Sequence, residues 1–572
     1  METAERIAEE LLDGFNRHYE LFRTTSTRAK EAFDVGDWAE IQRLVKERIL
    51  FYDTRVLEYV DRLRDELDAD SIDDSEWQLA KLIYVGLLVD HKRPELAETF
   101  FNSVTTRVLG RVYVHDDLMF KRAAVSTEYI PSEPPTYRSY YPAEPGLEAT
   151  FLEVFRDFGW TRPFADLERD VGFVMRELGD QPAHTARNYQ VQVLTSALYR
   201  NKAAYVIGKI VNGIQERAFV VPVLHDGSGR LALDTMLLEQ QSIDVLFALS
   251  RAYFLVDMDV PSDYVHFLQT IMPTRPRSEL YTALGLAGQG KTLFFRDLRH
   301  HLHHSNDLFV EAPGTRGLVM HVFTLPSYPY VFKVIRDRFG SSKNTDRETV
   351  MSKFAMVREV DRVGRMAHTI EFTNLALPLD RFSQDLLDQL DELAPTSIEV
   401  DGDNLIVRHC YVERRHTPLT LYFARATPEQ IDTAVREYGE TIRELAIANV
   451  FPGDLIWRNF GLTRYGRVLF YDYDEVEYLT DCSFREIPPA PTPEAELSDD
   501  VWYAVGPRDV FPEEFEPFLL GDPRVREAFL RHNADLLSAE FWRGSQARVA
   551  AGEIVDFFPY ADEVRFRRRY RV

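Results

Sequence analysis

Three polar residues in the last third of the chain have the types and spacing to move a phosphoryl group. Asp454 and Asn459 stand in the segment FPGDLIWRNFG, and Asp472 closes the apolar run RVLFYD shortly after it. Phosphoryl transfer asks a protein mainly to place groups and offset charge. It needs a carboxylate that orients a hydroxyl and accepts its proton, and an amide with a second carboxylate to hold Mg²⁺ against the phosphates. Asp454 suits the first task. Asn459 and Asp472 suit the second, because FGLTRYGRVLFY reads as a short hairpin that returns Asp472 to Asn459. Asp474 follows two positions later, and on a strand its carboxylate falls on the same side as that of Asp472, so that one holds the metal while the other orients a water.

Such a set needs a segment that grips a nucleotide, and EAPGTRGLVMHVFTLPSYPYVFKVI, residues 311–335, has the features of one. Gly314 and Gly317 lie in a turn that runs into one β run, and the next β run carries Lys333. A glycine turn lets the backbone approach phosphate, and a lysine embedded in an apolar strand holds its ammonium at a fixed point over the α and β phosphates. A lone strand lysine would instead read as snorkelling at a sheet edge. The residues downstream decide between the two readings.

The element that delivers Asp454 is a helix over 427–449, with Pro428 in its first turn and Ile431, Val435, Tyr438, Ile442 and Leu445 at helical spacing. Glycine turn, strand lysine, helix, DxxxxN and strand-terminal aspartate is the order of a two-lobed protein kinase. The HRD, DFG and APE strings are missing: Phe451, Pro452 and Gly453 precede Asp454, and Tyr473 and Asp474 follow Asp472. A helix glutamate is expected to pair with Lys333, and DRETVMSKFAMVREVDRVGRM offers Glu348 and Glu359 without choosing between them.

A competing phosphate loop is GLAGQGKT, residues 285–292, which matches GxxxxGK[ST] and would use Lys291. A loop of that kind needs a buried strand to feed it, whereas the preceding RSELYTAL is polar and helical in pattern. The segment reads as a turn between helices, and a P-loop ATPase built on Lys291 is the alternative. In RHHLHH, His300 and His304 share a helical face, but no third ligand stands near them, so they read as a solvated histidine-rich turn.

The net charge of -25 over 572 residues argues against a non-specific grip on nucleic acid or anionic membrane. Cys410 and Cys482 are too few for a disulfide framework. The first residues carry acids where a secretory signal has a basic start, and no run approaches the roughly 18 apolar residues of a membrane span. A cytoplasmic protein is expected. The late run Arg565, Arg567, Arg568, Arg569 and Arg571 reads as a solvated tail.

The fold class expected is α+β. A mostly helical domain over 1–308 carries a small inserted sheet near 204–234 and a proline- and tyrosine-rich connector at 129–146. A bilobal, kinase-like domain follows over 309–572. An insertion near 486–523 takes the place of the usual activation-loop region and is expected to contact a protein substrate.

Over nearly its whole length the sequence resembles the isocitrate dehydrogenase kinase/phosphatase family. The resemblance rests on FFNSV at 100–104, YRNKAAYVIGKI at 199–210, EAPGTRGLVM, VFKVIRDRF, DRVGRMA, FPGDLIWRNFG, YDYDE and DVFPEEF. It implies a bifunctional enzyme that phosphorylates a serine of isocitrate dehydrogenase and also removes that phosphate. Both reactions would use ATP or ADP with Mg²⁺ (or Mn²⁺) in one site, controlling flux between the citric acid cycle and the glyoxylate bypass. The nucleotide loop then falls on Ala312, Pro313, Gly314, Thr315, Arg316, Gly317 and Leu318, with Lys333 as the nucleotide lysine and Asp454 as the catalytic aspartate. Asn459 and Asp472 become the metal ligands, and Asp474 serves the phosphatase direction. The helical domain would be regulatory, with AMP as an allosteric effector at a site the sequence does not place. Where the family usually carries an active-site aspartate this chain has His368, and a histidine there can relay protons near neutral pH. A kinase-like binding protein without phosphatase activity is the remaining alternative, and the intact Lys333, Asp454, Asn459 and Asp472 argue against a silent site.

Overall fold

Helical spacing of apolar residues governs the first hundred positions and produces four helices, α1 (Glu2–Val35), α2 (Trp38–Leu67), α3 (Asp74–Leu88) and α4 (Pro94–Val108). The computed structural model describes residues 2–110, 117–179, 185–248, 253–340, 345–492 and 502–571. Ile7, Leu11, Phe15 and Tyr19 of α1 pack with Val56 and Tyr59 of α2, Trp77 of α3 and Phe100 of α4 in one core. Asp37 starts α2 by accepting from the Glu40 backbone N–H at 3.0 Å.

Next comes an antiparallel sheet of six strands, larger than the small inserted sheet expected near 204–234. Its strands are β1 (Tyr137–Tyr140), β2 (Gln190–Leu194), β3 (Leu198–Arg200), β4 (Ala203–Asn212), β5 (Gln215–His225) and β6 (Leu231–Leu233), in the order β1-β2-β4-β5-β6 with β3 on β4. β1 lies in the proline- and tyrosine-rich segment that reads as a connector. Prolines bracket it, and it lies at the end of the strand order, beside β2.

Helices α5 (Leu147–Arg156), α6 (Leu167–Leu178), α7 (Gln240–Ala248), α8 (Pro261–Ile271), α9 (Arg277–Ala283) and α10 (Ala287–His304) complete this part. GLAGQGKT spans the α9–α10 turn and the start of α10, with no strand before it. A Cβ at Gly290 would stand 2.7 Å from the Ser278 carbonyl, so the glycine serves close helix packing rather than phosphate. His300 and His304 sit at the end of α10, where the His304 Nδ1 lies 2.8 Å from the His300 carbonyl.

The chain divides into two compact units, Met1–His304 with Asp556–Val572, and Ser305–Val555. The last residues are therefore part of the first unit, not of a domain running to 572, and Arg565 is not the solvated residue its basic run suggests. It is 4% exposed and forks onto the buried Asp234, with Nε 2.8 Å from Oδ2 and Nη2 2.9 Å from Oδ1. Tyr560 donates to the same carboxylate at 2.8 Å. Arg567 and Arg568 pair with Asp562, and Arg569 pairs with Glu177. The acidic partners of this tail lie within the chain.

The second unit opens with another six-stranded antiparallel sheet. Its strands are β7 (Val310–Glu311), β8 (Met320–Thr324), β9 (Tyr330–Ile335), β10 (Thr369–Pro378), β11 (Ile398–Asp401) and β12 (Asn404–Arg414), in the order β10-β12-β9-β8-β7 with β11 on β12. Helices α11 (Arg347–Val360) and α12 (Gln384–Leu393) accompany it. The short β13 (Thr417–Pro418) and α13 (Leu419–Phe423) lead to α14 (Pro428–Ile447), around which the second lobe is built. Thr427 and Gln430 form a capping box at its start, and Ile431, Val435, Tyr438, Ile442 and Leu445 are its buried face. Among the described residues no helix is long and apolar enough to cross a membrane.

Candidate active site

After α14 the chain passes through β14 (Val450–Phe451) to Asp454, then forms the hairpin β15 (Phe460–Leu462) and β16 (Val468–Phe470), followed by β17 (Glu477–Tyr478). Phe460 pairs with Phe470, and the Tyr471 N–H donates to the Asn459 carbonyl at 3.1 Å. The hairpin thus returns Asp472 to Asn459, as its length predicts. Asp472 and Asp474 lie beyond the end of β16, so strand alternation is not what aligns them. Tyr473 does that work: it is buried, its hydroxyl donates to the Ala367 carbonyl at 2.7 Å, and its two neighbours are left facing the same cavity.

Gly453 lets the Asp454 loop lie against this second loop. Its φ is +79°, and a Cβ there would stand 2.7 Å from the Glu475 Cβ and against the Glu475 carbonyl. The Ile456 N–H donates to the Asp454 carboxylate at 3.1 Å, and the Asn459 amide nitrogen donates to the Asp454 carbonyl at 3.2 Å. With that nitrogen engaged, the Asn459 oxygen is the atom left for a metal. Tyr438 of α14 donates to the Leu455 carbonyl at 2.6 Å. Burial, and then the Asp454 charge, holds its phenol well above the usual range, so it stays a donor.

Lys333 lies in β9, all six residues of which are buried. Its ammonium is 2.5 Å from Glu413 Oε1 and donates to the Tyr471 carbonyl at 2.8 Å. The partner comes from β12, so the expectation of Glu348 or Glu359 on α11 is corrected. Both are exposed, and neither lines the cavity. Glu413 had a signal in the sequence, a lone acid closing the apolar run HCYV, of the same kind that singled out Lys333.

A cavity of about 700 Å³ gathers these groups. Ala312, Pro313, Gly314, Thr315, Arg316, Gly317 and Leu318 line it together with Lys333, Asp454, Asn459, Asp472 and Asp474. Glu413 and the cations Arg414, Arg415, Arg425 and Arg458 line it as well. The volume suits a nucleotide-sized ligand. Carboxylates and an amide oxygen are the hard donors Mg²⁺ prefers, and that ion takes much of its shell from phosphate and water. A set too sparse to hold a metal alone is therefore consistent: among the described residues no three His, Cys, Asp or Glu side chains form such a group. The donors fit Mg²⁺ bound with phosphates.

His368 does not line the cavity. It follows Ala367, whose N–H donates to the Phe470 carbonyl at 2.9 Å, which puts this segment beside β16 rather than at its open end. Arg365, fully enclosed, ties the segment to α14 through Glu437 at 2.9 Å and through Glu444. Burial opposes the Glu437 charge, but Arg365 and then Arg467 outweigh it and hold that carboxyl below its usual range.

Two family models match the chain: the regulatory domain of isocitrate dehydrogenase kinase/phosphatase (AceK) over residues 8–306, and the kinase domain of the same family over 307–562. Proteins named isocitrate dehydrogenase kinase/phosphatase from Aromatoleum aromaticum and from Azoarcus sp. are each 59% identical over 568 residues, covering 99% of this chain and 96% of the relative. One from Dechloromonas aromatica is 57% identical over 576 residues, covering 99% of this chain and 97% of its own. Such identity along almost the full length, with the Ala312–Leu318 loop, Lys333 and the acidic residues brought to one cavity inside the kinase match, leaves one conclusion: the chain belongs to the isocitrate dehydrogenase kinase/phosphatase family.

Proposed function

We propose that this protein phosphorylates a serine of isocitrate dehydrogenase and removes the same phosphate, using one nucleotide site for both reactions. The observation that carries the reading is the single cavity shared by the Ala312–Leu318 loop, Lys333, Asp454, Asn459, Asp472 and Asp474. In the kinase direction the serine oxygen bonds to the terminal phosphorus of ATP, ADP leaves, and Asp454 accepts the hydroxyl proton. Lys333 holds the inner phosphates. Asn459 and Asp472 would hold Mg²⁺ or Mn²⁺, which neutralises phosphate charge when bound. In the reverse direction Asp474 orients a water whose oxygen bonds to the phosphoserine phosphorus as the serine oxygen leaves and takes up a proton, so that inorganic phosphate is released with ADP in the same site. His368 stands behind this set and acts on it through the Ala367–Tyr473 contact. AMP acts as an allosteric effector through the regulatory domain, and the balance of the two reactions sets flux into the glyoxylate bypass in the cytoplasm.

The test incubates the protein with isocitrate dehydrogenase and labelled ATP, then chases with ADP in the absence of ATP. Label should enter and then leave. No incorporation would sink the function, and label that never leaves would reduce it to a kinase. Asp474→Ala should impair release more than incorporation. Lys333→Ala should abolish turnover and Lys291→Ala should not, since Lys291 lies in the second turn of α10, with no strand feeding it; the opposite result would favour the P-loop reading.

The insertion near 486–523 is proposed to contact the protein substrate; residues 493–501 of it lie outside the described residues. Its described part includes a helix, Phe515–Leu519, whose Phe518 is 70% exposed, while the Leu519 carbonyl accepts from the Trp457 indole at 2.9 Å next to the catalytic loop. Phe518→Asp is expected to raise the KM for isocitrate dehydrogenase roughly 10-fold, the effect of losing one apolar anchor, with the KM for ATP unchanged. An unaltered KM for the protein substrate would remove the segment from the interface.

A further inference from the structure

The Lys333–Glu413 pair is made inside one sheet. β9 and β12 are antiparallel neighbours with Lys333 opposite Tyr411, so Glu413 is the diagonal neighbour of Lys333 on the same face. Both side chains are buried, at 7% and 3% exposure. An ammonium so enclosed is costly unless paired, and the neighbouring strand supplies the pair. A lysine ammonium has three N–H donors. Glu413 and the Tyr471 carbonyl engage two of them, leaving one for a phosphate oxygen in the cavity.

Helix α11 is occupied elsewhere. Its Lys353 pairs with Glu477 at 2.5 Å, just past the loop of Asp472 and Asp474. Its Phe354 stacks on Tyr411, with centroids 3.9 Å apart, and meets the Tyr473 ring edge-on at 5.0 Å. Tyr473 is the residue between the two aspartates. Glu359 lies near enough to Tyr478 to help raise its phenol, after burial, and so belongs to a different neighbourhood from Lys333.

We propose that Glu413 is the positioning residue for Lys333, doing from a strand what a helix glutamate was expected to do, and that α11 instead braces the loop carrying Asp472 and Asp474. The inference rests on the reading of the cavity as a nucleotide site. It has a regulatory consequence. A pair held between hydrogen-bonded strands cannot be opened by a swing of α11, so movement of that helix alters the acidic loop and leaves the lysine in place.

Calorimetric titration of the full-length protein with Mg-ADP tests this with Lys333→Ala, Glu413→Gln, the double variant, Glu348→Gln and Glu359→Gln. Glu413→Gln is expected to weaken binding on the order of 30-fold, the scale of a broken buried charge pair. The double variant should bind no more weakly than Lys333→Ala alone, because Glu413 acts through the lysine. Glu348→Gln and Glu359→Gln should bind like the unaltered protein. Undiminished binding by Glu413→Gln, additive losses in the double variant, or a loss confined to a helix glutamate would each overturn the proposal. Undiminished binding by Lys333→Ala would instead show that the nucleotide-site reading itself fails. If Glu413→Gln does not fold, Glu413→Asp keeps the charge but withdraws it by one methylene; it should raise the KM for ATP several-fold, and an unchanged KM would be fatal. Lys353→Met should lower kcat with ADP affinity retained, whereas a loss of ADP affinity matching Lys333→Ala would return α11 to the lysine.

Discussion

Asp454→Asn is expected to slow phosphoryl transfer to isocitrate dehydrogenase by about 10²–10⁴-fold, the usual contribution of a positioned general base. The substitution keeps the shape of the side chain and an oxygen that can accept from the Ile456 N–H, now at 3.1 Å, so the loop should hold its course. On the proposed reading, nucleotide is held by Lys333 and the Ala312–Leu318 loop, so its binding should persist. Single-turnover phosphorylation, read beside ADP titration, separates the two. A rate within about 10-fold of the unaltered protein would place the proton acceptor elsewhere. A joint loss of rate and affinity would mean that Asp454 shapes the site rather than accepting a proton in it. The surroundings favour the first account: Gly453 admits the close approach to Glu475, and the Tyr438 hydroxyl holds the next residue by its carbonyl.

Arg565→Ala is expected to cost the first unit about 3–5 kcal/mol, the range for removing one partner of a buried ion pair. It strands the Asp234 carboxylate, 6% exposed, with the Tyr560 hydroxyl as its remaining side-chain donor among the described contacts. A chain of two compact units has no single unfolding midpoint, so hydrogen exchange resolved by segment is the appropriate measure. Protection should fall around β6 and along 556–571, while α14 and the β15–β16 hairpin keep theirs. Replacing both charges with apolar residues, Asp234→Leu with Arg565→Met, should restore much of the loss, since no charge is then left buried alone. If Arg565→Ala alone costs under about 1 kcal/mol, the tail pairing is no stronger than a surface ion pair.

The elements that carry chemistry were legible in the sequence because each has a local signal. Pro428 and the spacing from Ile431 to Leu445 announce α14, and the apolar run before Asp472 announces β16. The helical first hundred residues and the mixed second half follow from the same periodicities. GLAGQGKT reads as a turn between helices, and α9 rather than a strand precedes it. The same kind of signal fails for short elements: β3 has three residues, and the prolines around β1 hide it among turns.

Local pattern in the chain sets the order of Lys333, Asp454, Asn459 and Asp472 and the elements that hold them. Which residues meet across that order follows from strand register and packing. Glu413 reaches Lys333 because two strands far apart in sequence pair in a register no local pattern encodes. Asp472 and Asp474 share a cavity because Tyr473 is buried between them, His368 lies behind it, and Arg565 leaves its basic run for Asp234. Each of these outcomes turns on burying a charged or aromatic group where a partner waits, and the cost of an unpaired buried charge is a property of the folded interior, not of the chain's local pattern.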